Sequence, residues 1–266
     1  MNRRGRIEID FDDDIEQALE RFGDHEDMSR ARVVRWLEQF PDRDLPLAVE
    51  VIREIKYFNG LNIRTMTRHL FAIINDEMVR LELEKGAFIA VGSLGAGSGH
   101  VARVLRDLVR ATRHRMLSML DLSKLKPGEV DAIIFVDDFS GTGQTLEKWW
   151  EIVEPLVRPK NAIVFVGLLV LNERARERIE SFANILAVEE VEGTANIFAP
   201  ENRQFSEDQR IKLLEHCRRT GCGPKYERGF GDCGLLLAFK HFCPNNSLPI
   251  LWCQVNWRPL FKRRAI

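Results

Sequence analysis

Ala132-Ile-Ile-Phe-Val-Asp-Asp-Phe-Ser-Gly-Thr-Gly-Gln-Thr-Leu146 is the stretch on which the fold turns: an apolar run ends in two carboxylates, and a glycine and threonine loop then opens a helix. Four apolar residues in succession, Ile133 to Val136, predict a strand of a parallel sheet covered on both faces. Ligands of such sheets gather at the carboxyl ends of the strands, so Asp137 and Asp138 are expected to arrive there together. Ionised carboxylates only accept hydrogen bonds, which suits vicinal ribose hydroxyls or a place beside a divalent cation. The loop behind them supplies the opposite chemistry. Gly141 and Gly143 let backbone approach an anion, Thr142 and Thr145 offer hydroxyls, and a helix from about Gln144 presents unpaired N–H groups and a positive dipole end. A phosphate monoester fits such a nest. An aspartate pair that only caps a helix behind an α/β strand is the other reading of the same residues.

Working outward, the pattern from Ala87 alternates between strands and helices: strand 87–93, helix 99–112, strand 132–137, helix 144–156, strand 162–170, helix 173–183 and strand 185–190. That order implies a parallel α/β sheet. Leu122 to Glu129 reads as a surface turn leading into the central strand. The preceding 85 residues read as helical. Val33, Val34, Trp36, Leu37 and Phe40 share one face of a short helix; Asp44 caps a second, with Pro46 in its first turn and Val51, Ile52, Ile55 and Phe58 on its face, ending at Asn59-Gly60. Asn62 to about Leu83 carries a third, whose apolar residues are assigned to packing.

Composition narrows the function classes. The 266 residues are 45% hydrophobic and 30% charged, ordinary for a globular chain, and a formal net charge of -1 gives no global field toward nucleic acid or anionic membrane. The amino terminus carries no apolar stretch of signal type, no run approaches a membrane span, and five cysteines without a CxxC pair favour reduced thiols, so a cytoplasmic protein is expected.

At Val136 to Thr145 the chain resembles the type I phosphoribosyltransferase family, whose loop for phosphoribosyl pyrophosphate (PRPP) is an apolar strand, two acidic residues, a few variable positions and Thr-Gly-x-Thr. The resemblance assigns Asp137 and Asp138 to the ribose hydroxyls, and Ser140, Gly141, Thr142, Gly143, Gln144 and Thr145 to the 5-phosphate. Phe139 and Ser140 stand where small aliphatic residues are usual, and Gly141 where Thr, Ser or Asp is frequent. A second glycine segment, Gly92 to His100, follows a strand and precedes a helix; it lacks the lysine of a P-loop and the last glycine of a dinucleotide fingerprint. Within the resemblance Leu94, Gly95, Ala96, Gly97, Ser98, Gly99 and His100 take the place of the pyrophosphate loop, although Leu94 to Gly99 carry no basic residue. Magnesium is expected to arrive with the ligand rather than on a protein cage.

The similarity extends from about residue 30 onward, and its ending, His241 to Trp252 followed by Trp257 to Arg264, resembles the phosphoribosyltransferase-like branch that accompanies bacterial conflict systems. It implies an α/β core at 86–192, an N-terminal helical region at 1–85 and a C-terminal cap at 193–266. It further implies action on a nucleotide or base in antiviral defence, with a defence-system protein as partner; a non-catalytic sensor of PRPP or a nucleotide, or a protein or nucleic-acid interaction module of a defence complex, is the alternative. Gly221 to Gly234 reads as a long mobile loop in which Lys225 and Arg228 are within the chemistry of phosphate contact, and Glu227, Asp232 and His241 are the candidates for an acceptor's base. The cysteines with His216 and His241 match no common zinc module. Trp252, Trp257 and Phe261 beside Arg258, Lys262, Arg263 and Arg264 read either as packing ahead of a solvated tail or as a platform for single-stranded nucleic acid.

Overall fold

Along the chain run α1 (Arg3–Asp10), α2 (Asp12–Phe22), α3 (Arg30–Leu37), α4 (Leu45–Glu54), β1 (Lys56–Phe58), α5 (Gly60–Arg80), β2 (Gly86–Ala90), α6 (Ser98–Val109), β3 (Arg115–Leu117), α7 (Met119–Lys124), β4 (Ala132–Ser140), α8 (Gln144–Val157), β5 (Ile163–Asn172), α9 (Arg176–Glu180), β6 (Asn184–Val191), α10 (Glu207–Arg219), β7 (Leu237–Phe239) and α11 (Pro249–Trp252). The computed structural model describes residues 3–91 and 98–261. Two compact units result, one of Met1–Gly60 with Gly193–Ile266 and one of Leu61–Glu192.

The first unit is a helical assembly closed by a short parallel ladder in which Lys56 faces Leu237 and Phe58 faces Phe239. This ladder ends the second expected helix early. α4 stops at Glu54, Ile55 is extended with ψ 119°, and the Lys56 amide donates 2.8 Å to the Leu236 carbonyl, so Phe58 belongs to a strand rather than to a helix face. The indole N–H groups of Trp36 and Trp257 both donate to the Ile250 carbonyl, at 2.7 and 2.9 Å, tying the N-terminal helices to the C-terminal segment. Trp252, Trp257 and Phe261 are 6%, 7% and 0% exposed. They are core residues, which leaves none of the three a face for stacking a base; Lys262, Arg263 and Arg264 lie outside the described residues.

The second unit holds a parallel sheet in the order β3-β2-β4-β5-β6. β2 and β3 are joined through α6, after which the chain returns through α7 to the other side of β2 as β4. The order thus reverses between β2 and β4, and α/β sheets open a ligand crevice at such a reversal. Leu122, Leu146, Val153, Val157 and Ile179 pack with Ile133, Phe135, Val166 and Leu168 on one face. On the other, the side chains of α5 approach closely where the sheet carries glycine: a Cβ on Gly167 would meet Ile74 Cδ1 at 3.2 Å, and one on Gly86 would meet Met78 Sδ at 3.2 Å. α5, read above with the N-terminal region, therefore packs with the sheet.

Part of the segment expected as a surface turn is helical. Ser118 and Asp121 form a reciprocal capping box that starts α7, and only the stretch after Lys124 turns toward β4.

Candidate functional site

β4 does not end at the carboxylates as expected; it continues through Ser140, pairing Phe139 with Val170 and Ser140 with Leu171 of β5. Its ladder with β2 reaches Val136, opposite Ala90. Asp137 and Asp138 thus lie just beyond the paired part of β2 and β4, at the carboxyl end of the sheet and beside its reversal point.

The two carboxyl groups act on each other. The Asp138 amide donates 3.0 Å to Asp137 Oδ1, and Asp138 is 3% exposed whereas Asp137 keeps partial exposure. Burial, followed by the charge of Asp138, holds Asp137 well above the usual carboxylate range. Burial also pushes Asp138 up to about 7, against hydrogen bonds from Asp137 and the Phe139 amide that favour its ionised form. Near neutrality such a pair retains a proton between two sites and titrates as a unit. A ligand that donates two hydroxyls, or brings positive charge, stabilises the fully ionised pair.

Behind the pair, Gly141 and Gly143 are buried and Thr142 is half-buried. Gly143 caps α8 with φ 74° and ψ -11°, a left-handed conformation that glycine adopts without the strain of a side chain. A Cβ there would come within 3.1 Å of the Ala175 carbonyl and 3.3 Å of Arg178 Cβ. The first turn of α8 starts at Gln144 and Thr145, so its amide groups lie at the amino end of a 14-residue helix. Glu147 would oppose an anion at that end, but its Oε2 lies 3.1 Å from Arg178 Nε. The same guanidinium donates 2.6 Å from Nη1 to the Thr142 carbonyl. Arg178 has no signature in the sequence; it reaches the loop only because β5 and α9 fold back beside α8.

Two carboxyls can supply only part of the octahedral shell that magnesium prefers, about six oxygens, and among the described residues no cluster of three or more His, Cys, Asp and Glu could hold a metal ion. Asp137 and Asp138 alone do not complete such a shell, so a magnesium ion that accompanied a ligand would take most of its oxygens from phosphate and water. Leu94 to Gly97 of the second glycine segment lie outside the described residues, and Ser98, Gly99 and His100 open α6.

Glu227, Asp232 and His241 belong to the other unit. Glu227 pairs with Arg218 at 2.9 Å, the Asp232 carbonyl accepts from Asn196 at 2.8 Å, and His241 lies against Phe242 with ring centroids 5.0 Å apart. The Gly221 to Gly234 segment is tied down rather than loose: the Phe230 amide donates 2.7 Å to Asn245, and the Gly234 amide 2.7 Å to the Arg228 carbonyl. At Gly229, with φ 74°, a Cβ would fall 2.1 Å from the Asn246 carbonyl oxygen. The expectation of uniformly reduced thiols also fails. Cys222 and Cys253 form a disulfide with Cα atoms 6.2 Å apart, because the fold brings together positions that sequence spacing leaves unrelated. Both are thereby removed from any thiolate metal set, while Cys217, Cys233 and Cys243 are buried thiols.

A parallel sheet with an acidic pair and a glycine-capped helix start beside its reversal point defines a phosphoribosyltransferase-like α/β protein. The PRTase-CE family model matches residues 33–263, and the chain belongs to that family. No curated protein matches it. Among solved structures, a hypothetical protein from Neisseria gonorrhoeae with bound ppGpp is similar at 15% identity and a TM-score of 0.38, covering 52% of this chain and 85% of the other. Orotate phosphoribosyltransferase from Aeropyrum pernix is similar at 18% identity and TM-score 0.31, covering 47% and 69%. HGPRT-ase from Leishmania tarentolae in complex with GMP is similar at 13% identity and TM-score 0.34, covering 51% and 80%. These likenesses are remote, and the assignment stands on the family match and the strand order.

Proposed function

We propose that the unit of residues 61–192 binds PRPP or a ribose-phosphate nucleotide, with Asp137 and Asp138 accepting from the ribose hydroxyls and the Ser140 to Thr145 backbone and hydroxyls holding the 5-phosphate. The observation that carries this reading is the adjacent pair of Asp137 and Asp138, joined by a 3.0 Å hydrogen bond and set directly ahead of a glycine-capped helix start. Each half needs the other: the pair suits a donor of two hydroxyls, and the helix end suits a phosphate a few ångströms along the same sugar. Magnesium, when it accompanies the ligand, neutralises phosphate charge. The protein's own part is orientation, through the loop that Arg178 fixes and the carboxyls that grip the sugar.

In a transfer reaction the bond from the anomeric carbon to pyrophosphate breaks, and a bond to a base or nucleotide acceptor forms. The biological setting we assign is the one the resemblance implies, antiviral defence in bacteria with a defence-system protein as partner; the cytoplasmic place expected from the sequence has to accommodate the Cys222–Cys253 disulfide. A sensor that binds without turnover is the second reading, favoured by the absence of any lysine or arginine between Leu94 and Gly99. Pyrophosphate release from PRPP, followed with a panel of bases and nucleotides as acceptors, separates the two. Release that disappears in Asp137→Asn/Asp138→Asn establishes transfer; saturable PRPP binding without release under every acceptor establishes the sensor and ends the transferase reading.

A further inference from the structure

The first unit carries a cleft of about 300 Å³ lined by Arg32, Arg35, Gln254, Trp257, Arg258 and Pro259. Three arginines and no acidic residue line it. The walls are fixed by backbone contacts. Arg32 donates 3.0 Å from Nε to the Asp27 carbonyl and 3.3 Å from Nη1 to the Pro259 carbonyl. Gln39 grips Arg258 on both sides of its backbone, Nε2 donating 2.8 Å to the carbonyl and Oε1 accepting 2.7 Å from the amide.

The charges are imbalanced. Arg30, on the same helix as Arg32 and Arg35, is paired with Asp12 and Glu16. Arg32 has only Asp27, at 3.9 Å, and Arg35 and Arg258 are exposed without an ion pair among the described residues. Burial lowers the Arg32 pKa and the charge of Arg35 lowers it further, against the pull of Asp27. Like charges gathered on one cleft in a chain of net charge -1 weaken the isolated fold, and an anion relieves the repulsion.

Guanidinium groups meet phosphate oxygens in two-pronged geometry. The side chains of Arg35 and Arg258 stand in solvent on the rim, so a small free anion would remain largely hydrated there. A backbone of successive phosphodiesters, by contrast, engages several guanidiniums at once and releases counterions as it does so. We propose that this cleft docks the phosphodiester backbone of a nucleic-acid strand, independently of the Asp137 and Asp138 site. The contact needs no base stacking, in keeping with the burial of Trp252, Trp257 and Phe261.

Fluorescence anisotropy of a labelled single-stranded oligonucleotide with the full chain tests this. With three phosphates neutralised, the slope of log affinity against log salt is about -2, from roughly -0.7 per contact. Arg35→Glu/Arg258→Glu is expected to weaken binding at least tenfold and flatten the slope. Arg80→Glu/Arg158→Glu makes the same change in net charge on the other unit and is expected to leave affinity within twofold. Arg35→Gln/Arg258→Gln serves as the milder pair should the charge reversal disturb folding, with circular dichroism as the check. Strand affinity unchanged in either arginine pair, or no strand binding at all, overturns the proposal. So does displacement of the oligonucleotide by inorganic pyrophosphate at equal concentration in the Asp137→Asn/Asp138→Asn background, which would make the cleft a site for free phosphate.

Discussion

Arg178 donates a 2.6 Å hydrogen bond to the Thr142 carbonyl while its Nε stands 3.1 Å from Glu147 Oε2. One side chain thus fixes the loop that would meet the phosphate and, one turn later, neutralises the carboxylate that would repel it. Arg178→Ala is expected to weaken PRPP binding several-fold, because the loop loses the contact that holds the Thr142 carbonyl and Glu147 loses the cation that offsets its charge beside the helix end. Its effect on stability is smaller, because the guanidinium side chain is 35% exposed and screened by solvent. Arg178→Lys recovers binding only in part, as an ammonium cannot span both partners. Titration alongside thermal melting separates the two effects.

Gly143→Ala tests the same loop through its backbone. At φ 74° an alanine pays the left-handed penalty, and its Cβ meets the Ala175 carbonyl at 3.1 Å. Chemical denaturation is expected to show a loss of about 1–2 kcal/mol, with binding weakened in parallel. An unchanged midpoint would mean that the loop does not hold this conformation.

The carboxyl pair sets a pH dependence whose sign is opposite to that of a salt-bridged aspartate. Asp138 is raised to about 7 in the folded protein, whereas in the unfolded chain it titrates near about 3.9. The folded state then holds the extra proton, so the pair's contribution is fully present below the unfolded value and is lost as pH rises through about 7. Comparing Asp138→Asn with the parent by denaturation between acid and mildly alkaline pH is expected to show the variant gaining relative stability as pH rises. A constant difference across that range would contradict the burial of Asp138 beside Asp137.

Ligand binding reads the same protons from the other side. If hydroxyls or cationic charge favour the ionised pair, binding below pH 7 releases protons, and affinity rises as pH climbs through the Asp138 value of about 7. Calorimetry in two buffers of different ionisation enthalpy measures the release directly, and proton uptake would exclude these carboxyls as the contact.

The disulfide between Cys222 and Cys253 closes a separation of 31 residues, for which chain entropy suggests a contribution of about 3–4 kcal/mol. Reduction, or Cys222→Ser/Cys253→Ser, is expected to lower the melting temperature. The effect should be absent from a parent protein whose thiols all titrate as free.

The alternation of β2, α6, β4, α8, β5, α9 and β6 was legible because a buried strand announces itself as an apolar run and a helix as a 3.6-residue pattern. The acidic pair and glycine loop were legible because they are contiguous from Asp137 to Thr145. What escaped depends on contacts made at a distance. β3 is three residues, Arg115 to Leu117, too short for any period to show. Phe58 fits a helical face but is drawn into a ladder with Phe239, far along the chain. Arg178 and the Cys222–Cys253 link carry no local signature at all. The C-terminal aromatics read equally as packing or as a stacking platform, and the choice for packing depends on partners far along the chain, such as Phe40 against Trp257.

Calorimetric titration of the full chain with PRPP and magnesium, beside ribose 5-phosphate, AMP and ATP, bears most directly on the central claim. The expected result is saturable binding of PRPP or of a ribose-phosphate nucleotide that Asp137→Asn/Asp138→Asn abolishes while the fold, checked by circular dichroism, is kept. Binding that survives the double substitution, or silence toward every one of these ligands, would contradict a ribose-phosphate site at the end of β4.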